Sequence, residues 1–170
     1  TRLVNYSTEI SNCGVLSDPG MFPLSANISS SGTCLDIQSD NVTVDCQGHS
    51  INFSQSNPGY GVDNSDGFDN ITVKNCIIHK DVASGYNTDP AGIIIDNFVD
   101  DAYDNTVFNT SIFITASDGG EDSSGLFVDG ARNLLVDSVV FDIRQASAWG
   151  NYPSRMSNSV NVTINNSQLF

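Results

Sequence analysis

The sequence predicts an all-β protein that folds as a parallel β-solenoid of about five to six coils. The first observation is an internal repeat, in which a β-branched residue recurs about every 30 residues, at Val44, Val73, Val107, Val136 and Ile164. The second is a shortage of helix formers, since 18 of the 20 acidic residues are Asp and only two lysines are present. The third is that Asn, Asp, Gly and Ser, which are typical of turns, separate the short apolar segments.

Two strands are predicted around this first column of β-branched residues. Residues two apart lie on one face of a strand, so the positions two before the column extend its apolar face, namely Ile71, Leu134 and Val162. A polar bend of Asn or Asp follows the column. A second strand then begins at the positions five after it, namely Ile78, Ile112, Phe141 and Leu169.

A third strand is predicted before each of these units. It lies in GVDN (61–64), GIIIDN (92–97) and GLFVDG (125–130), where we align Val62, Ile95 and Val128, which are equally spaced along the chain. The segment 34–41 resembles a first copy of this strand. Successive coils should lie about 4.8 Å apart. The longer spacing between Val73 and Val107 predicts a loop around residues 80–92.

The four cysteines, Cys13, Cys34, Cys46 and Cys76, have no metal-binding spacing and predict two disulfides formed in an oxidising compartment. Three connectivities are open. We favour Cys13–Cys34 with Cys46–Cys76, because Cys46 and Cys76 fall in successive coils in nearly the same column. The chain also begins at Thr1 without a charged and apolar leader, so we interpret it as a mature secreted form located outside the cell or at the cell surface.

The repeats and the segment 13–51 resemble the right-handed parallel β-helix repeat family of secreted carbohydrate-active and surface proteins. The shared opening is a Cys-Gly, a Pro-Gly turn, an apolar strand, a Gly-Thr-Cys, an Asn-Val-Thr with a nearby Asp, and a Gly-His. The resemblance covers nearly the whole chain and implies a single-stranded right-handed β-helix. It implies no single activity, because this fold hosts lyases, hydrolases, adhesins and structural shafts.

The residues Asn87, Thr88 and Asp89, followed by the pair Asp100 and Asp101, resemble motifs of polygalacturonase-type β-helix hydrolases. That resemblance implies Asp89, Asp100 and Asp101 as candidate catalytic carboxylates. Two features depart from the pattern, since Gly48–His49 precedes these carboxylates instead of following them, and the closing Arg-Ile-Lys is absent. A carbohydrate-active enzyme of the hydrolase or lyase type therefore stays an alternative, and we lean against an enzyme.

Calcium is the one cofactor that the sequence suggests. Lyase-type chemistry would need Ca²⁺ on clustered carboxylates and a nearby Arg as base, here Arg132 or Arg144. The candidate ligands lie in two acidic segments, Asp100, Asp101 and Asp104 in one and Asp118, Glu121 and Asp122 in the other. Neither segment has the spacing of a known calcium loop, and solvated surface charge is the competing explanation. The two histidines, His49 and His79, are isolated and do not suggest a metal site.

The charge restricts the partners. Twenty Asp and Glu residues oppose six Lys and Arg, which gives a net charge of −14 at pH 7. Nucleic acid is excluded as a partner, since a phosphate backbone requires a basic face. An anionic membrane surface is disfavoured for the same reason. No membrane span is predicted, because no apolar run in the sequence is long enough to cross a bilayer.

Acceptor triplets for N-glycosylation, Asn-X-Ser/Thr, are about twice as frequent as the composition alone would produce. Part of this excess has a structural explanation, because Asn suits the bend and Thr suits the strand of each repeat. The remaining excess predicts covalent N-glycans. The eight candidate sites are Asn5, Asn27, Asn41, Asn52, Asn70, Asn109, Asn161 and Asn165.

The chain divides into an N-terminal strand or arm, residues 1–12, and a β-helix domain, residues 13–170. In the arm Val4, Tyr6, Thr8 and Ile10 alternate on one face, and at the other end Leu169 lies in the last apolar column. In one interpretation, residues 1–10 cover the first coil of their own subunit, and the C-terminal end is a truncation point. In the other, the N-terminal strand or coil of one subunit docks on the open C-terminal coil of the next.

We favour the second interpretation. The chain is then a secreted, N-glycosylated structural subunit that self-assembles head to tail into an extracellular filament or cell-surface layer. The alternatives are the carbohydrate-active enzyme and a glycan-binding adhesin module. The aromatic segment 146–155, with Trp149 and Tyr152, has three explanations, namely contact with a sugar, contact with another subunit, or coverage of the core.

Overall fold

The structure is a computed structural model that describes residues 7–80, 90–96, 101–116, 123–145 and 152–170. The described residues form β-strands and connections without a helix, and every strand pair is parallel. The prediction of an all-β protein is therefore confirmed. None of the described residues belongs to a helix of the length and hydropathy needed to cross a membrane.

Three parallel sheets contain six strands each. Sheet 1 contains β1 (Gly14–Leu16), β4 (Leu35–Ile37), β7 (Tyr60–Asn64), β10 (Ala91–Ile95), β14 (Ser124–Asp129) and β18 (Tyr152–Ser157). Sheet 2 contains β2 (Gly20–Pro23), β5 (Val42–Asp45), β8 (Thr72–Lys74), β12 (Thr106–Phe108), β16 (Leu135–Asp137) and β19 (Thr163–Asn165). Sheet 3 contains β3 (Ile28–Ser29), β6 (Ser50–Asn52), β9 (Ile77–Lys80), β13 (Ser111–Ala116), β17 (Val140–Gln145) and β20 (Gln168–Leu169).

The chain visits the three sheets in the same order six times, and we call each passage through sheets 1, 2 and 3 a round. In every sheet the strands of successive rounds are neighbours. A short two-stranded sheet of β11 (Ala102–Tyr103) and β15 (Ala131–Arg132) joins the fourth and fifth rounds between sheets 1 and 2.

The two columns aligned in sheets 2 and 3 are paired as predicted. In sheet 2 the pairing runs Phe22, Val44, Val73, Val107, Val136 and Ile164. In sheet 3 it runs Ile28, Ile51, Ile78, Ile112, Phe141 and Leu169. All of these side chains except the two in the last round are buried, and together with the sheet 1 column they form one core.

The alignment in sheet 1 was wrong at one position. Val62 lies opposite Ile93, whereas Ile95 lies opposite Asn64 on one side and Val128 on the other. The equal spacing of the aligned residues therefore does not reflect the pairing at Val62. In the observed register Gly92 lies opposite Gly61 and Gly125. A larger residue does not fit at Gly92, because its Cβ would lie 2.6 Å from Ile112 Cγ2 and 2.7 Å from the carbonyl oxygen of Gly125.

Both disulfides connect successive rounds near the N-terminal end. Cys13 is bonded to Cys34 with a Cα–Cα distance of 4.6 Å, and Cys46 to Cys76 with a distance of 4.7 Å. These are the two pairs that the column positions favoured. The first connects rounds one and two and the second connects rounds two and three, so both stabilise the first half of the stack.

A further segment, residues 7–10, lies beside the first strand of sheet 2. Ser7 is paired in parallel with Met21, and Ile10 with Leu24. In this chain residues 7–10 therefore cover β2 of their own subunit, as in the first interpretation of the ends. Val4 and Tyr6 of the predicted arm lie outside the described residues, as do positions 81–89 of the predicted loop.

The two ends of the stack differ in burial. In the first round Phe22 is 8% exposed and Ile28 is 2% exposed. In the last round their column mates Ile164 and Leu169 are 48% and 59% exposed. The last round thus presents apolar side chains that the same columns bury in the other rounds.

Candidate functional site

The bends between the sheets are built from polar residues in the left-handed backbone region. Asparagine predominates at these positions because its short side chain tolerates a positive φ better than most others do. The asparagines with positive φ are Asn41, Asn70, Asn75, Asn109, Asn133, Asn158, Asn161 and Asn166. Asp104 has the same conformation at the bend that precedes sheet 2.

Side-chain amides at these bends are bonded from round to round. At the bend before sheet 2, Asn70 Nδ2 donates to Asn41 Oδ1 at 2.8 Å and Asn161 Nδ2 donates to Asn133 Oδ1 at 2.8 Å. Asn133 in turn donates to Asp104 at 2.9 Å. We call these inter-round bonds, together with those at the other bends, the amide ladders.

The amide ladders continue at two other bends. Before sheet 3, Asn109 Nδ2 donates to Asn75 Oδ1 at 2.8 Å, and Asn75 Nδ2 donates to Asp45 Oδ1 at 2.9 Å. At the same bend of the last round Asn166 donates to Asp137 at 3.0 Å, and at the bend after sheet 1 Asn158 donates to Asp129 at 2.7 Å.

All of these bonds have the same direction, since the donor always belongs to the later round. A carboxylate has no hydrogen to donate, and accordingly each Asp in these bonds is the acceptor. The backbone nitrogens of the bend residues donate in the other direction, for example from Asn41 N to Asp69 O at 2.9 Å. Part of the negative charge of the chain therefore serves as hydrogen-bond acceptor within the bends.

Asp45 combines a ladder bond with an ion pair. Its carboxylate lies 3.3 Å from Lys74 Nζ and also accepts from the backbone nitrogen of Gln47 at 3.1 Å. Partial burial disfavours the ionised form, but the hydrogen bonds from Asn75, Gln47 and Lys74 outweigh it and lower the pKa of Asp45.

Asp101, a candidate catalytic and calcium-binding residue, is bound to Arg132. Arg132 Nε and Nη2 lie 2.9 Å from the two carboxylate oxygens, and Nη1 donates to the carbonyl oxygen of Asn158 at 2.7 Å. Asp104 instead accepts from Asn133 in the amide ladder. The structure therefore gives these two calcium candidates different protein partners.

The other candidates from the acidic segments, Asp89, Asp100, Asp118, Glu121 and Asp122, lie outside the described residues. Within the described ranges, no group of three or more His, Cys, Asp or Glu side chains could hold a metal ion. Arg144, the second candidate base, is exposed and forms a bidentate contact with Asp142 of the same strand, at distances of 2.7 to 3.2 Å. That hydrogen bond lowers the pKa of Asp142.

The sequence analysis did not identify one acidic pair, Asp36 and Asp63, which lie opposite each other on the outer face of sheet 1. Burial and the charges of Asp63 and Asp66 raise the pKa of Asp36, against a hydrogen bond from Gln38. These residues line an open cavity of about 530 Å³. The aligned strands 34–41 and 61–64 contained the signal, because pairing Leu35 with Val62 also pairs the two aspartates.

The remaining candidates occupy separate surfaces. The His79 ring stacks on Phe113 of the next round with a centroid distance of 4.9 Å. His49 follows the bend at Gly48, and the ordinary backbone bond from its nitrogen to Cys46 O measures 2.7 Å. Tyr152 begins β18 and is exposed, whereas Trp149 lies outside the described residues.

The glycosylation triplets fall into two structural groups. Four of their asparagines belong to the amide ladders, namely Asn41, Asn70, Asn109 and Asn161. Three others lie outside the ladders: Asn27, whose Oδ1 accepts from Ser50 N at 2.9 Å, Asn52 and Asn165. Asn27 and Asn165 are exposed, Asn52 is half-buried, and Asn5 lies outside the described residues.

The last round presents exposed apolar side chains at one end of the stack. Among the described strands, β18, β19 and β20 each have a neighbour on one side alone. Their columns end at Met156, Ile164 and Leu169. This combination of free strand edges and uncovered apolar side chains can bind further strands.

Comparison with protein-family models, with curated proteins and with solved structures finds no match for this chain.

Proposed function

We propose that this chain is a secreted, N-glycosylated structural subunit that self-assembles head to tail into an extracellular filament or cell-surface layer. Its fold in this proposal is a single-stranded right-handed parallel β-helix, in which each round is one coil. The repeated order of the three parallel sheets supports the β-helix. The general preference of parallel crossovers for the right hand supports the handedness.

The observation that carries the proposal is that the core-facing residue of each sheet, which we call its inner column, is apolar in both the first and the last round. If the last round of one copy precedes the first round of the next, each sheet continues with apolar residues in contact. Met156 then faces Leu16, Ile164 faces Phe22 and Leu169 faces Ile28, according to the registers within the sheets. Each sheet would gain a parallel neighbour at the usual spacing of about 4.8 Å.

Three further features support secretion and a structural role. Two disulfides are typical of extracellular proteins. The exposed Asn27 and Asn165 are positions where a glycan would extend into solvent. Asp101, Asp104 and Asp45 are bound by Arg132 or by the amide ladders, which is the arrangement expected of charges that stabilise a stack.

The test is the association state of the purified 170-residue chain. We expect fibres with an axial repeat of about 29 Å, six rounds at the spacing of parallel strands. Ile164→Asp with Leu169→Asp should abolish them, because a charged side chain would be buried without a partner at the joint. Gln168→Asp is the matched control, since Gln168 lies on the same exposed strand edge but outside the inner column.

Electron microscopy of negatively stained samples and sedimentation velocity measure both the repeat and the size distribution. A wild-type chain that stays monomeric over a wide concentration range would contradict the proposal. So would fibres that persist in the double Asp variant.

A further inference from the structure

The edge of sheet 2 at the N-terminal end is already occupied within each chain. Residues 7–10 pair with Met21 to Leu24, whereas β1 and β3 have no neighbour on their outer side among the described strands. A second copy that continues all three sheets therefore meets two free edges and one covered edge.

We infer that residues 7–10 are a self-blocking strand, which must leave β2 before β19 of another copy can pair with it. This inference rests on the proposed head-to-tail assembly and specifies how the joint forms. The joint is a strand exchange, in which an intramolecular strand is replaced by an intermolecular one.

The spacing in the sequence shows why residues 7–10 block a single sheet. Ser7 pairs with Met21, 14 positions later, whereas Gly20 pairs with Val42, 22 positions later. The shorter connection passes through β1 of sheet 1 and, within the described part of the chain, contributes no strand to sheet 3. The added strand is thus an incomplete round, and it does not present the three-sheet edge that the last round of another copy would require.

The bonds to be exchanged are few. Thr8 N donates to Met21 O at 2.9 Å, Ile10 N donates to Pro23 O at 3.0 Å, and Ser25 N donates to Ile10 O at 3.1 Å. β19 is a three-residue strand with a free edge and offers comparable backbone groups. Ile10 is paired with Leu24 and partly buried against the core, and in the proposed register Ile164 would face Phe22, two positions before Leu24.

A second copy of this chain is the partner that the core-facing residues at the N-terminal edge favour. In the proposed register the three inner contacts across the joint are all apolar, and the incoming round contains no carboxyl side chain, since residues 152–170 lack Asp and Glu. The first round contributes Asp18 as its acidic residue. The joint therefore brings together two of the least acidic parts of a strongly acidic chain.

The experiment compares three variants of the full chain. Thr8→Pro with Ile10→Pro removes the two donors that hold the strand on β2. Ser7→Pro with Glu9→Pro is the matched control, because no bond to β2 among the described residues uses those two nitrogens. Ser7→Cys with Met21→Cys locks the strand by a disulfide, for which directly paired parallel positions are close enough.

We expect the released variant to assemble at a concentration lower by about tenfold, because each backbone hydrogen bond changes an equilibrium by roughly two- to tenfold. The control should assemble like the wild type. The locked variant should stay monomeric until a mild reductant opens the exposed engineered disulfide. Static light scattering against concentration measures all three.

Two results would overturn the inference. If the wild type forms fibres and the locked variant forms them equally well, head-to-tail assembly stands but strand exchange is wrong. If the released variant has a lower melting temperature and yet no variant associates, residues 7–10 are a cap alone, and both the inference and the proposed function fail. Assembly of the released variant without assembly of the wild type would support the strand release and would contradict the proposed self-assembly of the unmodified chain.

Discussion

The first and last rounds contain the same columns in opposite environments. Phe22 and Ile28 are buried at the N-terminal end, where residues 7–10 pair with β2 and Ile10 packs against the core, whereas Ile164 and Leu169 are about half exposed. Both disulfides also lie in the first three rounds. The difference teaches that a segment of the same chain covers the first round, whereas no described residue covers the last round.

The largest expected effect comes from substituting two paired core-facing residues of sheet 3, one in the fifth round and one in the sixth. Phe141 is buried in the fifth round and Leu169 follows it in the sixth. Phe141→Ala should lower the free energy of unfolding by about 3–5 kcal/mol, because it leaves a cavity in the core. Leu169→Ala should cost less than about 1 kcal/mol in the monomer, since much of that side chain is already in water.

Chemical denaturation at a concentration where the chain is monomeric measures both values. Similar costs for the two substitutions would show that the last round is covered in solution. In an assembled sample the cost of Leu169→Ala should rise toward that of a buried leucine.

The second prediction concerns the N-terminal end, where both disulfides lie. Replacing Cys46 and Cys76 together by Ala should lower the free energy of unfolding by about 2–4 kcal/mol, because the unfolded chain loses a constraint between residues 30 positions apart. Hydrogen exchange should then show faster opening of β5 and β8, with little change in β16 and β19. Equal acceleration in all rounds would mean that the stack unfolds as one unit.

The smallest expected effect is on the pH dependence of stability. Asp45 has a lowered pKa in the folded chain, so its stabilising contribution is present at neutral pH and is lost as the pH falls below about 4. Asp36 has a raised pKa, so its ionised form is unfavourable at neutral pH, and this cost disappears as the pH falls.

Denaturation curves at about pH 7 and about pH 3 measure both carboxyl groups. Asp36→Asn should stabilise the chain at the higher pH and lose this advantage at the lower one. Asp45→Asn should destabilise the chain at the higher pH and have a smaller effect at the lower one. The same dependence on pH in both variants would contradict these opposite directions of the two pKa values.

The sequence allowed prediction of the all-β class and of the columns in sheets 2 and 3, because a β-branched residue in every repeat reports both the strand and its register. It did not allow the correct register at Val62, since the glycines before each strand were interpreted as turn markers and not as the aligned positions. Close approach of Gly61, Gly92 and Gly125 to backbone and side chains of the neighbouring strands is what fixes that register.

The candidate site was less predictable. Arg132 and Asp101 are 31 positions apart, and their contact depends on the small sheet of β11 and β15 rather than on the main repeat. The amide ladders were anticipated only in part. The aligned asparagines Asn41, Asn70 and Asn161 indicated a bend, but an alignment of residues has no information on which amide donates.

The single direction of the amide ladders has a consequence for the ageing of the protein. Asparagine is among the residues most easily damaged by heat, because its amide is hydrolysed to a carboxylate. Such a change at Asn70, Asn109 or Asn161 would remove a donor and place two acceptors face to face between adjacent rounds. The chemical half-life of a few surface amides would then limit the durability of the stack.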